Sequence, residues 1–131
     1  MALSAAPAAH AKKSKPVPGS ILVSVPGFDP NSRTSLATGI VQAKKGCAAT
    51  RTVRLAIFNP DGTPAPLGQP TVVTASNGSF IAAIPQPFNP NPDPVTVVVK
   101  IAVDPLVTKK KGKKVNCLAI TGADSALTVP A

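Results

Sequence analysis

Proline and glycine interrupt this chain so often that no long regular element fits between them. The sequence holds 16 Pro and 9 Gly among 131 residues, roughly double the usual share. Pro85–Pro94 cannot be a helix and is not expected to be a central strand, because proline lacks the backbone N–H that both need. Charged residues make up 15% of the chain, too few for the polar faces of amphipathic helices. We therefore expect short β-strands and no significant helix.

The segments between these breaks show the apolar alternation of β-strands. In Arg51–Asn59, Val53, Leu55 and Ile57 fall on one face, a period of two rather than 3.6. Val95–Val103 is a long Val/Ile run, typical of a core strand that is buried on both sides. The other predicted strands are Ile21–Val25, Ser35–Ala43 with a bulge at Gly39, Thr71–Thr74, Ser79–Ile84, Val115–Ile120 and Ala126–Val129. About seven or eight such strands predict an all-β fold, an antiparallel β-sandwich.

Asn77–Gly78 lies between two of these strands and is the residue pair that type I′ turns favour. We expect it to join Thr71–Thr74 and Ser79–Ile84 as a β-hairpin. Asn77-Gly78-Ser79 also matches a glycosylation sequon, but the hairpin turn by itself accounts for the Asn–Gly pair.

The N-terminal segment suggests an exported protein. Ala9-His10-Ala11 has the small-residue pattern after which signal peptidases cleave, and the basic residues of Lys12–Lys15 follow it at once. A disordered Ala/Pro terminus is the alternative interpretation. The predicted organisation is a signal-peptide remnant at 1–11, a basic flexible linker at 12–19 and a single β-sandwich domain at 20–131.

Two cysteines, Cys47 and Cys117, point to the same compartment. An even count beside a signal-like N terminus favours one disulfide formed in an oxidising environment. Closing a loop of about 70 residues would stabilise the fold by roughly 4 kcal/mol in the chain-entropy model. Two reduced thiols or a metal pair are the alternatives, and no His, Cys-x-x-Cys or carboxylate cluster accompanies either cysteine to support the metal.

The net charge of +9 makes polyanions the default electrostatic partners. Asp104–Asn116, which we expect to be a loop, carries the densest group of basic residues, and solubility is the simplest role for such a group. Aromatic residues make up only 3% of the chain, so we do not expect specific nucleic-acid recognition. Weak, salt-sensitive binding to an anionic envelope polymer or nucleic acid is physically possible. The predicted contacts are Lys109, Lys110, Lys111, Lys113 and Lys114.

The side chains that most enzymes need are largely missing. The chain has no Glu, one His, no Gly-x-Ser-x-Gly elbow and no P-loop or dinucleotide fingerprint. We therefore predict no enzyme and no catalytic, cofactor-binding or metal-binding residue, and no apolar stretch is long enough for a membrane span. Calcium is the least implausible metal, at the turn residues Asp29, Asn31, Asp61, Asn89, Asn91 and Asp93.

Three segments together resemble a known kind of domain. Gly46–Leu55 resembles a cysteine followed by an Arg-x-Val-x-Leu strand opening, Thr74–Phe80 resembles a Thr-x-x-x-Gly-x-Phe hairpin, and Asn116–Thr121 resembles a late strand that returns the second cysteine. In this order they are similar to small exported bacterial β-sandwich domains of the transthyretin-like or carboxypeptidase-regulatory-like (Ig-like) kind, over about Thr34–Val129. The resemblance implies a non-enzymatic accessory or surface module and supplies no catalytic residues.

The leading functional prediction is a secreted, non-enzymatic structural or interaction module at the cell surface or in the extracellular matrix. It would bind a protein partner or itself through sheet edges. Two alternatives stay open: weak polyanion binding through the Lys109–Lys114 segment, and a subunit of an extracellular filament or surface layer. In the filament, Ser20–Val25 would complete a neighbour's sheet, with donor residues Ile21, Leu22, Val23 and Val25.

Overall fold

The computed structural model describes residues 15–65 and 69–131, and every regular element in them is a β-strand. The expected all-β fold without helix is confirmed for these residues, with eleven strands rather than seven or eight. In chain order they are β1 (Lys15–Val17), β2 (Gly19–Ser24), β3 (Thr34–Ala43), β4 (Thr52–Phe58), β5 (Thr71–Val73), β6 (Ser79–Pro85), β7 (Val95–Val103), β8 (Leu106–Lys110), β9 (Lys113–Cys117), β10 (Ile120–Thr121) and β11 (Ser125–Val129).

Two antiparallel sheets form the body of a sandwich. The first has the strand order β2-β3-β6, and the second has the order β10-β7-β4-β5 with β11 also paired to β7. The alternation predicted in β4 is confirmed, since its inward side chains are buried between the sheets. They pack in one core with residues of β3, β6, β7, β10 and β11, among them Val41, Phe80, Ile84, Ile101 and Leu127.

β7 is buried on one face only, so the prediction of two-sided burial is wrong. Lys100 and Ala102 lie exposed on its outer face, where the described chain places no further layer. Its apolar composition follows instead from its central place in the sheet, between β4 on one side and β10 and β11 on the other. The buried residues are Val97, Val99, Ile101 and Val103.

A third, smaller sheet has the order β1-β9-β8 and occupies the segment predicted to be a lysine-rich loop. That prediction is wrong, because β8 and β9 pair as an antiparallel hairpin from Leu106↔Cys117 to Lys110↔Lys113. Lys111 and Gly112 both have positive φ, 52° and 77°, which is the requirement of a two-residue type I′ turn.

The predicted flexible linker at 12–19 is wrong from Lys15 onward, while 1–11 and 12–14 lie outside the described residues. β1 pairs in parallel with β9, in the register Lys15↔Val115 to Val17↔Cys117. Val17 is buried against the disulfide, so this segment belongs to a packed sheet. Gly19, which ends the predicted linker, is already the first residue of β2.

The Asn77–Gly78 turn exists, but its predicted type and strand pairing are wrong. Gly78 N donates a hydrogen bond to Ala75 O at 2.9 Å, so the two central residues of the turn are Ser76 and Asn77. Neither has the positive φ that both central residues of type I′ need; Gly78, which follows them, has a φ of 88°. β5 pairs with β4, and β6 pairs with β3. The turn therefore carries the chain from one sheet to the other.

Gly39 is regularly paired in β3, so the predicted bulge is also wrong. The Phe80 ring covers it: a Cβ added to Gly39 would lie 2.5 Å from Phe80 Cζ and 2.5 Å from Leu22 O. The glycine is needed because the ring and the neighbouring strand occupy the space of a side chain.

Gly39→Ala is expected to cost about 1–3 kcal/mol, the usual range for overpacking a filled core. Urea unfolding would measure this as a lower midpoint. Gly27→Ala is the matched control, because a Cβ there meets nothing within 4 Å, and its midpoint should not fall. Equal midpoints for the two variants would contradict the packing argument.

Candidate anion-binding site

The disulfide predicted between Cys47 and Cys117 is confirmed, with their Cα atoms 5.5 Å apart. It joins the segment that follows β3 to the end of β9. Both cysteines are fully buried with Val17 and Val115 in a second, small core, against which Leu106 packs. The disulfide therefore holds the third sheet against one end of the sandwich, which we call the basic end for the lysines described below.

Arg51, just before β4, makes a second connection at the same place. It is only 1% exposed. Its Nη1 donates to Cys47 O at 2.7 Å, and its Nη2 donates to Asp104 O at 2.9 Å and to Leu118 O at 2.8 Å. These carbonyls belong to three separate connections: after β3, between β7 and β8, and between β9 and β10. One guanidinium thus ties the hairpin to the sandwich from both of its ends.

The positive charge of Arg51 is stabilised by the dipoles of these backbone carbonyls rather than by direct contact with a carboxylate. Burial lowers the pKa of Arg51, and the nearby Asp104 charge opposes this shift, while an arginine still stays charged in proteins. The Asp104 carboxylate itself binds Arg54 at 2.8 Å, and the hydrogen bond from Arg54 lowers the pKa of Asp104. Among the described residues, Arg51 Nε is the buried side-chain nitrogen without a hydrogen-bond partner.

The five predicted lysines lie at the end of the β8–β9 hairpin, all exposed. Lys109 is directly opposite Lys114, and Lys110 is directly opposite Lys113. Because side chains alternate along a strand, the two pairs lie on opposite faces of the hairpin, with Lys111 in the turn. Like charges directly opposite one another destabilise a sheet. This hairpin therefore keeps an arrangement that is unfavourable for folding alone.

Lys44 and Lys45 belong to the same end and were missed by sequence reasoning. They directly follow β3, and Cys47 N donates to Lys44 O at 3.0 Å. A sequence signal for them exists, because each cysteine is preceded by a Lys–Lys pair, in Lys44-Lys45-Gly46-Cys47 and in Lys113–Cys117. The disulfide therefore brings two dibasic segments together. Parallel pairing adds the backbone of Lys15 beside Val115.

The oxygen-bearing turn residues considered for calcium lie at the opposite end of the sandwich, in three separate turns. The Asp29 carboxylate accepts hydrogen bonds from Asn31 N at 2.7 Å and from Ser32 N at 3.1 Å. Asp61 accepts from Thr63, which lowers the pKa of Asp61. Within 15–65 and 69–131, no three His, Cys, Asp or Glu side chains come together as a metal-ion site.

A small cavity of about 110 Å³ lies at that same opposite end, between the Pro85–Pro94 segment and the start of β7. Its lining includes Asn59, Phe88 and Asn89 but no acidic or basic side chain. Asn59 and Asn89 are engaged in their own turns, where their Nδ2 atoms donate to Thr63 Oγ1 and to Asp93 O.

The predicted donor strand pairs within its own chain. β2 forms a six-residue antiparallel register with β3, from Gly19↔Ala43 to Ser24↔Thr38. Ile21, Val23 and Val25 pack against the main core, while Leu22 faces outward. Strand addition to a neighbour by this segment would require it to leave that pairing.

No helix in the described part of the chain is long and apolar enough to cross a membrane. No protein-family model matches the chain, and a comparison with curated proteins finds no match.

Proposed function

We propose that this protein is a non-enzymatic extracellular module whose basic end binds anionic envelope polymers. The observation that carries the proposal is that the hairpin register places lysine directly opposite lysine twice, as Lys109↔Lys114 and Lys110↔Lys113. An anionic ligand would relieve their repulsion and so would bind with a free-energy gain that scattered surface lysines do not offer.

The rigid support of the hairpin agrees with a binding role. A disulfide, a buried arginine and a third strand hold the hairpin in place. Lysines that served only solubility would not need such support. Because the backbone that carries the lysines is already held in place, it loses less conformational freedom on binding, which favours affinity. Lys44 and Lys45 widen the surface beyond the hairpin, so that a chain of several anionic groups is a better fit than a single small anion.

The chemistry of this surface favours charge over sequence recognition. Its basic residues are lysines, which act as point charges, and the hairpin contains no arginine for bidentate contacts and no aromatic ring for base stacking. The affinity of such binding falls steeply as the salt concentration rises, and its selectivity depends mainly on the charge density of the ligand.

An extracellular location is the other part of the proposal. It is supported by the disulfide, because disulfides persist mainly in oxidising compartments, and by the cleavage-like pattern at Ala9-His10-Ala11. The sandwich agrees with kinship to the transthyretin-like or carboxypeptidase-regulatory-like domains that the sequence resembles. Assembly into a filament or surface layer by strand addition stays a prediction.

Replacing all five hairpin lysines by glutamine is expected to abolish retention on heparin at low salt. Each lysine near an anionic surface is worth roughly a fivefold change in affinity, so the double variant Lys109→Gln/Lys114→Gln should already elute at clearly lower salt. A polyphosphate column and a duplex DNA column would separate a preference for flexible envelope-type polymers from general polyanion binding.

The control for this experiment removes the same net charge elsewhere. Arg33→Gln/Lys100→Gln takes two positive charges from exposed positions away from the basic end and should elute close to the wild type. If both double variants shift equally, net charge alone governs retention and the proposed site is wrong. Lys44→Gln/Lys45→Gln tests whether the second dibasic segment contributes.

A further inference from the structure

The outer face of the β2-β3-β6 sheet carries no charge. The three strands contain no Asp, Glu, Lys or Arg. Leu22, Leu36 and Ile81 point outward from them and are 59%, 53% and 65% exposed. The register places Leu22 opposite Ile40 and sets Ile81 beside Thr38. The side chains form one continuous uncharged surface across all three strands.

The outer face of the second sheet is chemically different. There Arg54 binds Asp104 at 2.8 Å, and Lys100 binds Asp124 at 3.0 Å. Lys100 Nζ also lies 5.8 Å from the centre of the Phe58 ring. Ion pairs and a covered aromatic ring suit a face that stays in water. The uncharged face has no ion pair of this kind. Its exposed leucine and isoleucine side chains lie among uncharged serine, threonine and glutamine side chains, and exposed apolar groups gathered on one face are a feature of interaction sites.

We infer that the outer face of the β2-β3-β6 sheet is the interface through which two copies of this chain form a twofold dimer. A chain of net charge +9 repels a second copy wherever its lysines approach one another. On this face neither copy presents a charge, so the surface is compatible with itself, as a twofold interface requires. An acidic partner protein would instead be expected to bind at the basic end, where the charges are complementary.

The size of the face fits a weak dimer. The strands have six, ten and seven residues; at about 3.3 Å per residue and a spacing of about 4.8 Å they cover roughly 360 Å². Two such faces would bury about 700 Å² in total, which is below the standard size of a stable interface and in the range of weak, transient contacts. The dimer should therefore form reversibly and depend on concentration.

Sedimentation velocity of the intact chain, from about 1 μM to about 1 mM to cover weak affinities, tests this inference. We expect the wild type to shift from monomer to dimer, whereas Ile81→Glu stays monomeric across the range. Leu22→Glu, on another strand of the same face, should behave like Ile81→Glu. Both positions are exposed, so the far-ultraviolet circular dichroism should not change.

Val73→Glu is the matched control, since Val73 is 59% exposed on β5 of the other sheet and the substitution adds the same charge. It should dimerise like the wild type. A wild type that stays monomeric at about 1 mM would overturn the inference and leave the face to a different protein. Loss of the dimer in Val73→Glu, or its dissociation by added salt, would overturn it as well, because screening should favour two positively charged copies.

Discussion

Arg51→Met is expected to lower the free energy of unfolding by about 3–5 kcal/mol, the range for removing one member of a buried charged hydrogen-bond network. The variant leaves three carbonyls without their donor: that of Cys47 in a buried position, and those of Asp104 and Leu118 in part-buried ones. Methionine fills much of the volume, so the loss reflects hydrogen bonding more than a cavity. Urea unfolding would show it as a lower midpoint at an unchanged slope.

Two variants separate the specific role of Arg51 from the loss of a positive charge. Arg51→Lys keeps the charge but cannot reach three carbonyls from one planar group, so it should be destabilised nearly as much as Arg51→Met. Arg54→Met removes an exposed arginine three positions away, and its midpoint should match the wild type. A stable Arg51→Lys would mean that charge alone, not the guanidinium geometry, is what this site requires.

The double variant Cys47→Ala/Cys117→Ala is expected to lose about 4 kcal/mol, from the greater freedom of the unfolded chain once a loop of about 70 residues is opened. The pair is separated by 70 positions. For a domain of this size such a loss corresponds to a melting temperature lower by roughly 12–20 °C. Calorimetry of the variant beside the wild type would measure it.

Reductant provides the control for the disulfide. A reducing agent should lower the melting temperature of the wild type toward that of the double variant and should leave the variant unchanged. A variant that melts with the oxidised wild type would contradict the prediction. Because Arg51 and the disulfide hold the same segments, their combined loss should be smaller than the sum of the separate losses.

Local patterns predicted the elements whose partners lie in the sandwich core. The alternation of Val53, Leu55 and Ile57 identified β4 because one face of it meets the opposite sheet. The cysteine count identified the disulfide, because a single even pair leaves no choice of partner. The same patterns did not show which strands pair, so β5 and β6 were joined as a hairpin when each belongs to a different sheet.

The third sheet was missed because lysine is uncommon in strands and suggests a solvated loop. Its signals were Lys111–Gly112, which adopts the type I′ turn, and the apolar positions Val107 and Val115 on either side. Arg51 could not be identified locally, because its acceptors follow it by 53 and 67 positions or precede it by four. Such contacts exist only after the chain has folded.

The pairing of β1 with β9 determines when the basic end can be completed. Lys15 and Val115 are about 100 residues apart, and closing so long a loop costs entropy before any contact compensates for it. In a chain made from its N terminus, β2 and β3 find each other early, whereas β1 has no partner until β9 has emerged. The basic end is therefore among the last parts of the molecule to form, and a chain that stops short of Cys117 carries lysines without the sheet that holds them.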